Sequence, residues 1–239
     1  MRCTIVADIH ANLAAFQAVL ADAASQEAGA RVWCLGDIVG YGPEPHECID
    51  LLRSTNHLAV AGNHDWAATG KVGTEEFNPD AAAAAKWTAA QLDAADRAYL
   101  DALPLRIEEG EFTLVHGSPR DPVWEYVLTL HDAAENFARF ATPYCLIGHS
   151  HAPLVFEAAG AVRPFPEEAL KLGKTRLIIN PGGVGQPRDG DPRASYAIYD
   201  SEAHTLSLRR VSYDVPTTQH KMLAAGLPPR LATRLSYGM

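Results

Sequence analysis

Short apolar runs alternate with helix-like segments through the first part of the chain. The apolar runs Cys3–Ala7, Val32–Leu35 and Leu58–Ala61 predict three strands. Between them, a segment with apolar residues at helical spacing predicts a helix that is capped by Asn12 and extends to Ala24, and Glu44–Arg53 predicts a second helix. Strands separated by helices predict a parallel sheet that helices cover on both faces.

An alanine-rich segment follows, and it predicts a helical insertion over about residues 78–103. Asn78 supplies an N-cap, and Pro79 stands at the first helical position, where its missing N–H costs nothing. The insertion is interpreted either as a wall or lid of a site or as plain scaffold, and the sequence leaves both open.

The second half of the chain has the pattern of a mixed sheet with hairpins. Two strands are predicted around the turn Glu109-Gly110-Glu111, and a helix is predicted near His131–Phe140. Further strands are predicted at Tyr144–Ile147, Leu154–Glu157, Arg176–Ile179, Ser195–Tyr199 and Leu206–Val211. Without a repeat or a clear linker, residues 1–239 are expected to form one domain. The tail over about residues 212–239 is expected either to pack as a helix or to help form a homodimer.

Composition and charge narrow the classes of function. Hydrophobic residues make up 47% of the chain and charged residues 21%, as in ordinary globular proteins. The formal charge of −9 argues against binding long nucleic acids, but local cations in a cleft still permit a small phosphorylated substrate. The start of the chain lacks the long apolar stretch of a signal peptide, and no segment is apolar enough for a membrane helix. The four cysteines show no CxxC pairing, so buried free thiols in the cytoplasm are expected.

Five short polar clusters each follow an apolar strand-like run. They are Asp8-Ile9-His10, Gly36-Asp37, Gly62-Asn63-His64-Asp65, His116-Gly117 and Gly148-His149-Ser150-His151. Each cluster alone is explained well by a turn or a strand-end cap. Loops at the carboxyl ends of strands converge in α/β sheets, however, so the five clusters together indicate one metal site. Oxygen and imidazole ligands without thiolate suit Mn, Fe, Ni, Co or Zn better than Ca or Mg.

In their order along the chain, these clusters resemble the motifs of the calcineurin-like metallophosphoesterase superfamily. The matching motifs span residues 8–151. The turn Asn180-Pro181-Gly182 resembles a turn that also occurs in small prokaryotic members related to diadenosine tetraphosphatase. The resemblance implies an α/β fold, a four-layer α/β/β/α sandwich with two mixed sheets.

The resemblance also implies a role for each candidate ligand in these motifs. Asp8, His10 and His151 would bind one metal ion, Asn63, His116 and His149 would bind a second, and Asp37 would bridge the two. Two divalent ions are therefore expected, Mn first, with Fe, Zn, Ni or Co as alternatives, and a hydroxide between them would attack phosphorus. His64 would stabilise the phosphoryl group or protonate the leaving oxygen, and Asp65 would either orient a histidine or cap the next helix.

The sequence departs from this family where related phosphatases carry Asp and Arg after the bridging aspartate. Here Asp37 is followed by Ile38-Val39-Gly40-Tyr41-Gly42, so the arginine that would bind phosphate is missing. A replacement is expected in the loop 118–126, where Arg120 would contact phosphate while Tyr126 or Trp124 stacks on an organic group. Alternatively, Arg120 would pair with Asp121 in an ordered surface loop. Arg188 and Arg193 are weaker candidates for the same role.

The function predicted from these features is hydrolysis of small phosphodiesters or phosphomonoesters, nucleotides among them, by an enzyme that depends on two metal ions. Cleavage of a dinucleoside polyphosphate is an alternative within the enzymes. A catalytically silent scaffold that binds metal is the alternative from another class. A nuclease acting on long polymers is disfavoured, because the chain is acidic and lacks a basic stripe.

Overall fold

A computed structural model describes residues 1–166 and 168–239. In this part of the chain the strands are β1 (Arg2–Val6), β2 (Val32–Cys34), β3 (His57–Ala59), β4 (Arg106–Glu109), β5 (Phe112–Val115), β6 (Tyr144–Leu146), β7 (Pro153–Glu157), β8 (Ala161–Pro164), β9 (Leu170–Lys171), β10 (Leu177–Pro181), β11 (Ala194–Asp200) and β12 (Thr205–Val211). The helices are α1 (Leu13–Ser25), α2 (Pro45–Arg53), α3 (Asn63–Thr69), α4 (Pro79–Gln91), α5 (Ala94–Ala102), α6 (Leu130–Phe137), α7 (Val215–Ala224) and α8 (Pro229–Arg234).

The strands form two mixed sheets of six strands each. The first sheet has the order β3-β2-β1-β11-β12-β9, in which β1, β2 and β3 run parallel and β11 pairs antiparallel with β1. The second sheet has the order β4-β5-β6-β10-β7-β8, with β5, β6 and β10 parallel at its centre. Five of these parallel strands, β1, β2, β3, β5 and β6, end shortly before the predicted ligand clusters begin.

The two sheets pack face to face, and helices cover their outer faces. Alternate residues of β1 show this arrangement, because Cys3 and Ile5 join the core between the sheets while Val6 packs on the other side with α1 and α2. The outer face of the second sheet packs against Ala133 and Phe137 of α6. The four-layer α/β/β/α sandwich that the resemblance implied is confirmed.

Local signals explain most helix boundaries, including one that the sequence pattern did not indicate. The side chain of Asn12 accepts a hydrogen bond from Ala15 N, so it caps α1 as expected. The alanine-rich insertion is two helices rather than one, because Asp93 caps a new helix by accepting from Asp96 N. Helix α3 was not given bounds from the apolar pattern, because its first turn is the cluster Asn63-His64-Asp65, but the capping role considered for Asp65 requires a helix at this place.

The tail forms α7 and α8, which pack with α4 around Tyr41 in a separate apolar cluster that contains Met222 and Leu231. The tail is also tied to the loop after β10, because Gly190 N donates to Gly238 O at 2.9 Å. Across residues 1–166 and 168–239, no helix has the length and apolar character that crossing a membrane requires.

Candidate active site

The loops that carry the candidate ligands hold unusual backbone conformations. Asp8, His10, Asp37, His149 and His151 all have φ between +50° and +65°. Side chains with a Cβ rarely adopt this left-handed region, and such strain is concentrated at functional sites. Backbone hydrogen bonds between the loops hold it in place, for example from Asp8 N to Gly36 O at 3.1 Å and from His10 N to Asp37 O at 2.9 Å.

Asp8, His10 and His151 form a first group of converging acceptors. Nδ1 of His10 lies 3.1 Å from Val39 O, and Nδ1 of His151 lies 2.5 Å from Gln186 O. Each Nδ1 must donate to its carbonyl, so each Nε2 of a neutral ring carries a lone pair. The two Nε2 atoms nevertheless face each other at 3.2 Å, and Asp8 Oδ1 lies 3.4 Å from Nε2 of His151.

Asn63, His116 and His149 form a second group of the same kind. Nδ1 of His116 lies 2.8 Å from Leu35 O, and Nε2 of His149 lies 3.2 Å from Trp124 O, which leaves the other nitrogen of each neutral ring as an acceptor. His116 Nε2 faces His149 Nδ1 at 3.1 Å and Asn63 Oδ1 at 3.1 Å. Backbone carbonyls thus orient the rings of both groups, as they commonly do for histidines that bind metal.

Asp37 lies between the two groups. Its Oδ2 is 3.6 Å from His10 Nε2 and 3.3 Å from His116 Nε2, while its Oδ1 accepts from His64 N at 2.9 Å. A side chain at Gly62 would overlap Asp37 Oδ1, which explains the glycine of that cluster. Among the described residues, Asp37 is the one carboxylate positioned to contact a cation in either group.

Asp65 holds the loop of Asp37 against the start of α3. Its Oδ2 accepts from Asp37 N and Gly62 N, both at 2.9 Å, and its Oδ1 accepts from Val39 N at 3.1 Å. Of the two roles considered for Asp65, capping the helix is therefore the one observed. It bonds to the backbone of the Asp37 loop and not to a histidine.

Burial and charge make this cluster a place for a cation. Burial lowers the pKa of His10 and His151 well below the usual value, so these rings are neutral, the form that binds metal. Burial opposes a charge on His116 too, but Asp37 outweighs it and raises the pKa of His116 to about 9. Burial raises the pKa of Asp8 to about 7, and Asp8 Oδ2 has no partner among the described residues. The facing acceptors favour a positive charge between them, and a divalent cation fits this donor set.

His64 lies beside the two ligand groups, and its ring forms a further set of possible ligand atoms with His10 and Asp37, all within 4.8 Å of one another. Its ring contacts Tyr41 and Phe77, with centroid distances of 4.3 and 4.7 Å, and burial lowers its pKa to about 4. Nδ1 of His64 has no hydrogen-bond partner in the described part of the chain. Gly40, with φ +91°, lies so close that an added Cβ would be 2.5 Å from this nitrogen.

A cavity of about 90 Å³ opens onto His64 and the ligand groups. Besides ligand residues, its walls include Tyr41, Phe77, Trp124, Tyr126 and Arg188. Tyr126 stacks on His149 with ring centroids 3.9 Å apart and is 45% exposed. Phe77 and Trp124 meet edge to face at the same opening, with centroids 5.2 Å apart.

The structure does not bring Arg120 to this cavity, contrary to the arrangement expected from the sequence. Its guanidinium pairs with Glu125 and Glu135, and not with Asp121 as the alternative had it. Arg188 lies in the cavity wall instead, where it donates to Tyr41 Oη at 3.4 Å and to Gln186 Oε1 at 3.2 Å. Among the described residues no carboxylate lies within ion-pair distance of Arg188.

Arg188 was only a weak candidate from the sequence, because it follows no ligand cluster directly. It lies in the loop after β10, close to the turn Asn180-Pro181-Gly182, and that turn was the one available signal. Gln186 in the same loop orients His151, so this loop serves both the ligand groups and the cavity wall. Arg193, the other weak candidate, pairs with Asp191 at 2.6 Å.

Known proteins are similar to this chain along most of its length. A family model of the calcineurin-like phosphoesterase superfamily domain matches residues 1–204. An uncharacterized protein of Methanocaldococcus jannaschii is 37% identical over 239 residues, which cover 98% of this chain and 97% of that protein.

Solved structures extend the likeness to the fold. A metallophosphoesterase of Sphaerobacter thermophilus superposes with a TM-score of 0.91 at 48% identity, covering 100% of this chain and 99% of that one. A candidate diadenosine tetraphosphatase shares the fold, with a TM-score of 0.56, 19% identity, and coverage of 88% and 94%. The sequence match includes all five ligand clusters, so the predicted resemblance is confirmed and the chain belongs to the calcineurin-like phosphoesterase superfamily.

Proposed function

We propose that this protein hydrolyses phosphate esters of small molecules with the help of two divalent cations. One cation would be held by Asp8, His10 and His151, the other by Asn63, His116 and His149, with Asp37 shared. The observation that carries the proposal is the set of ring nitrogens and carboxylate and amide oxygens that face one another across 3.1–3.6 Å, with the rings oriented by backbone carbonyls. Such a cluster of acceptors needs positive charge, which a proton on His116 supplies in part and two divalent cations would supply in full.

The donor types support a transition metal. Five of the seven ligands are imidazole or amide groups and two are carboxylates, with no thiolate, which suits manganese, iron, cobalt, nickel or zinc. When bound, such ions polarise phosphoryl oxygens and lower the pKa of water, which makes an attacking group available near neutral pH. We propose manganese as the first ion to test.

The protein side chains of the cavity bind and orient the phosphoryl group. Arg188 brings a positive charge that no carboxylate of the described residues neutralises, so it is free to bind phosphate oxygens. The neutral ring of His64 still carries one N–H, which can donate to a phosphoryl oxygen or to the leaving oxygen. Both side chains line the same cavity.

The size of the cavity supports a small reacting group. About 90 Å³ holds a phosphoryl group with a few waters, whereas pockets for whole organic ligands measure about 300–1,000 Å³. The organic part of the substrate must therefore lie outside the walls formed by Phe77, Trp124 and Tyr126. The likeness to the metallophosphoesterase of Sphaerobacter thermophilus supports an enzyme over a silent scaffold.

Metal-restored turnover tests the proposal. Protein stripped with chelator is assayed on p-nitrophenyl phosphate and bis-p-nitrophenyl phosphate with added Mn²⁺, together with Asp37→Asn, His64→Ala and the control His46→Ala, a histidine outside the cavity. Turnover should return with metal and fall by about 100-fold or more in the first two variants only. Two bound ions without turnover of any phosphate ester would support the scaffold instead.

A second experiment tests the part assigned to Arg188. Loss of a charge-assisted hydrogen bond to phosphate costs about 1.5–3 kcal/mol, so Arg188→Ala should lower kcat/KM by about 10–100-fold, mainly through KM. Arg120→Ala is the matched control and should change KM by less than twofold. Equal effects in the two variants would contradict the assignment of Arg188.

A further inference from the structure

Asn12 joins two of the loops that build the first group of candidate ligands. The side chain of Asn12 is buried, and its Nδ2 donates to Gly185 O at 2.9 Å. Gly185 N in turn donates to Asp8 O at 2.9 Å, so the loop after β1 and the loop after β10 are bonded in both directions. The two backbones also touch, because an added Cβ at Gly185 would overlap the main-chain oxygen of Ile9. This close approach requires a glycine and fixes the distance between the loops.

The loop after β10 also orients His151. Its residue Gln186 accepts from Nδ1 of His151 through the main-chain oxygen at 2.5 Å. His151 follows a strand of the second sheet, whereas Asp8 and His10 follow β1 in the first sheet. The bond from Asn12 to this loop therefore connects ligands that come from two different sheets.

The C-terminal tail reaches Asn12 through α7. Thr218 is 1% exposed, and its Oγ1 lies 3.3 Å from Asn12 Oδ1 and 3.1 Å from the main-chain oxygen four residues earlier, so its proton bonds to either oxygen. The space between this helix and His10 measures about 10 Å³, the least that one water needs, and Met222 and Leu235 form part of its wall. The tail therefore packs against a candidate ligand with almost no space between them.

A second contact leads from the tail to His10. Tyr41 belongs to the apolar cluster that also contains Met222, and its ring meets the ring of His10 edge to face with centroids 4.6 Å apart. The family model matches residues 1–204, so α7 and α8 lie beyond the part of the chain that it covers. The contact of the tail with the first ligand group is therefore not among the features that the family motifs predict.

The second ligand group is oriented from elsewhere. Nδ1 of His116 lies 2.8 Å from Leu35 O, and Nε2 of His149 lies 3.2 Å from Trp124 O. Both carbonyls belong to parts of the chain other than the loop after β10 and the tail. A change at Asn12 is therefore expected to act on the first group and to spare the second.

We propose that Asn12 and Thr218 are positioning residues for the cation that the first ligand group would hold. The inference rests on the proposed function, since it concerns one of the two cations. Asn12 acts through two separate atoms: Oδ1 caps α1 by accepting from Ala15 N at 3.2 Å, while Nδ2 holds the loop after β10. The two roles can therefore be separated by substitution. Removing the link alone should weaken the first cation and leave the second in place.

Titration calorimetry of the stripped protein with Mn²⁺ tests this. Asn12→Ser keeps a good N-cap residue, but its hydroxyl is too short to reach Gly185 O. The Kd of one ion should rise by about 10–100-fold, as for other residues that position metal ligands, while the Kd of the other changes by less than about twofold. Thr218→Val removes the hydroxyl at nearly constant shape and should weaken the same ion by about threefold, the contribution of one neutral hydrogen bond.

Two background variants show which ion is affected. His149→Ala leaves the first position intact and His151→Ala leaves the second, so Asn12→Ser should weaken the ion in the first background only. Thr233→Val on α8 is the matched control for Thr218→Val, because Thr233 also donates to a main-chain oxygen within its helix, and it should change neither Kd. Equal weakening in both backgrounds, or in neither, would overturn the role of Asn12. A Thr218→Val protein that binds Mn²⁺ as Thr233→Val does would overturn the role of the tail.

Hydrogen exchange of the metal-free protein decides the link between the loops independently. In Asn12→Ser the amide of Gly185 should exchange about threefold to tenfold faster relative to the amide of Val60, which bonds to Cys34 O, because one hydrogen bond fewer holds its loop. An unchanged rate would contradict the link. If the wild-type protein binds fewer than two Mn²⁺ ions, the proposed function has failed, and the exchange rate alone then decides the inference.

Discussion

Asp65 offers the sharpest test of how the site is built, because it touches none of the candidate ligand atoms directly. Its carboxylate is fully buried and accepts hydrogen bonds from three backbone N–H groups, those of Asp37, Gly62 and Val39. The change Asp65→Ala removes all three acceptors at once. We therefore expect a loss of both stability and metal affinity.

The size of both effects follows from these contacts. A buried donor left without a partner costs about 1–3 kcal/mol, so three donors that relax partly cost roughly 3–6 kcal/mol. For a chain of this size each kcal/mol lowers Tm by about 2–4 °C, which gives a decrease of roughly 10–20 °C. Positioning residues behind metal ligands typically change affinity by about 10–100-fold, and we expect that loss for Mn²⁺. Asp65→Asn keeps one acceptor oxygen and should lose about half as much stability.

Calorimetric melting and Mn²⁺ titration check both effects. Asp132→Ala is the control, because Asp132 also caps a helix by accepting from two backbone N–H groups, those of Leu128 and Thr129, but it lies outside every group of possible metal ligands among the described residues. It should lower Tm and leave Mn²⁺ affinity unchanged. An Asp65→Ala protein that melts within 2 °C of the wild type and binds Mn²⁺ equally well would refute the reasoning.

Two other predictions concern a glycine and an ion pair. Gly40→Ala forces a Cβ into the left-handed region at a cost of about 1–2 kcal/mol and displaces His64, so kcat should fall about tenfold or more. Gly70→Ala, at φ +81° with open space around it, should carry the strain without the loss of kcat, and equal kcat losses would contradict this. Asp22 on α1 accepts from Arg209 at 2.6 Å, which lowers the pKa of its carboxyl. This partly buried pair should stabilise the fold by about 1 kcal/mol above the unfolded pKa of about 3.9, and the contribution is lost as pH falls through the lower folded pKa. Urea unfolding of Asp22→Asn should therefore differ from wild type at pH 7, and the difference should shrink as the pH falls below the unfolded pKa, whereas a constant difference would argue against the ion pair.

The fold was largely predictable because its signals are local. The strands β1, β2 and β3 are apolar runs separated by capped helices, and that pattern requires a parallel sheet covered by helices. The pairing of β1 with β11 joins residues that are far apart in the sequence, such as Arg2 and Asp200, and it has no such local signal. Strand β9 has only two residues, too few for any periodicity. The break between α4 and α5 contains neither glycine nor proline, so the alanine-rich segment looked like one helix.

The candidate site was likewise predictable only in part. The seven candidate ligands each lie within a few residues after a strand end, so strand prediction alone brings them to one edge. Arg188, the positively charged side chain of the cavity wall, does not follow a strand end in this way. Arg120 is near His116 in sequence, but Glu125 and Glu135 hold it away from the cavity, whereas Arg188 arrives from a loop whose position depends on tertiary packing.

The number of metal ions bound per chain tests the central claim most directly. Stripped protein is loaded with Mn²⁺, desalted and measured by plasma mass spectrometry, alongside Asp37→Asn. The arrangement of acceptors predicts two ions per chain in the wild-type protein and fewer in the variant, because Asp37 is the ligand shared by both positions. One ion per chain, or none, in the wild-type protein would contradict the account.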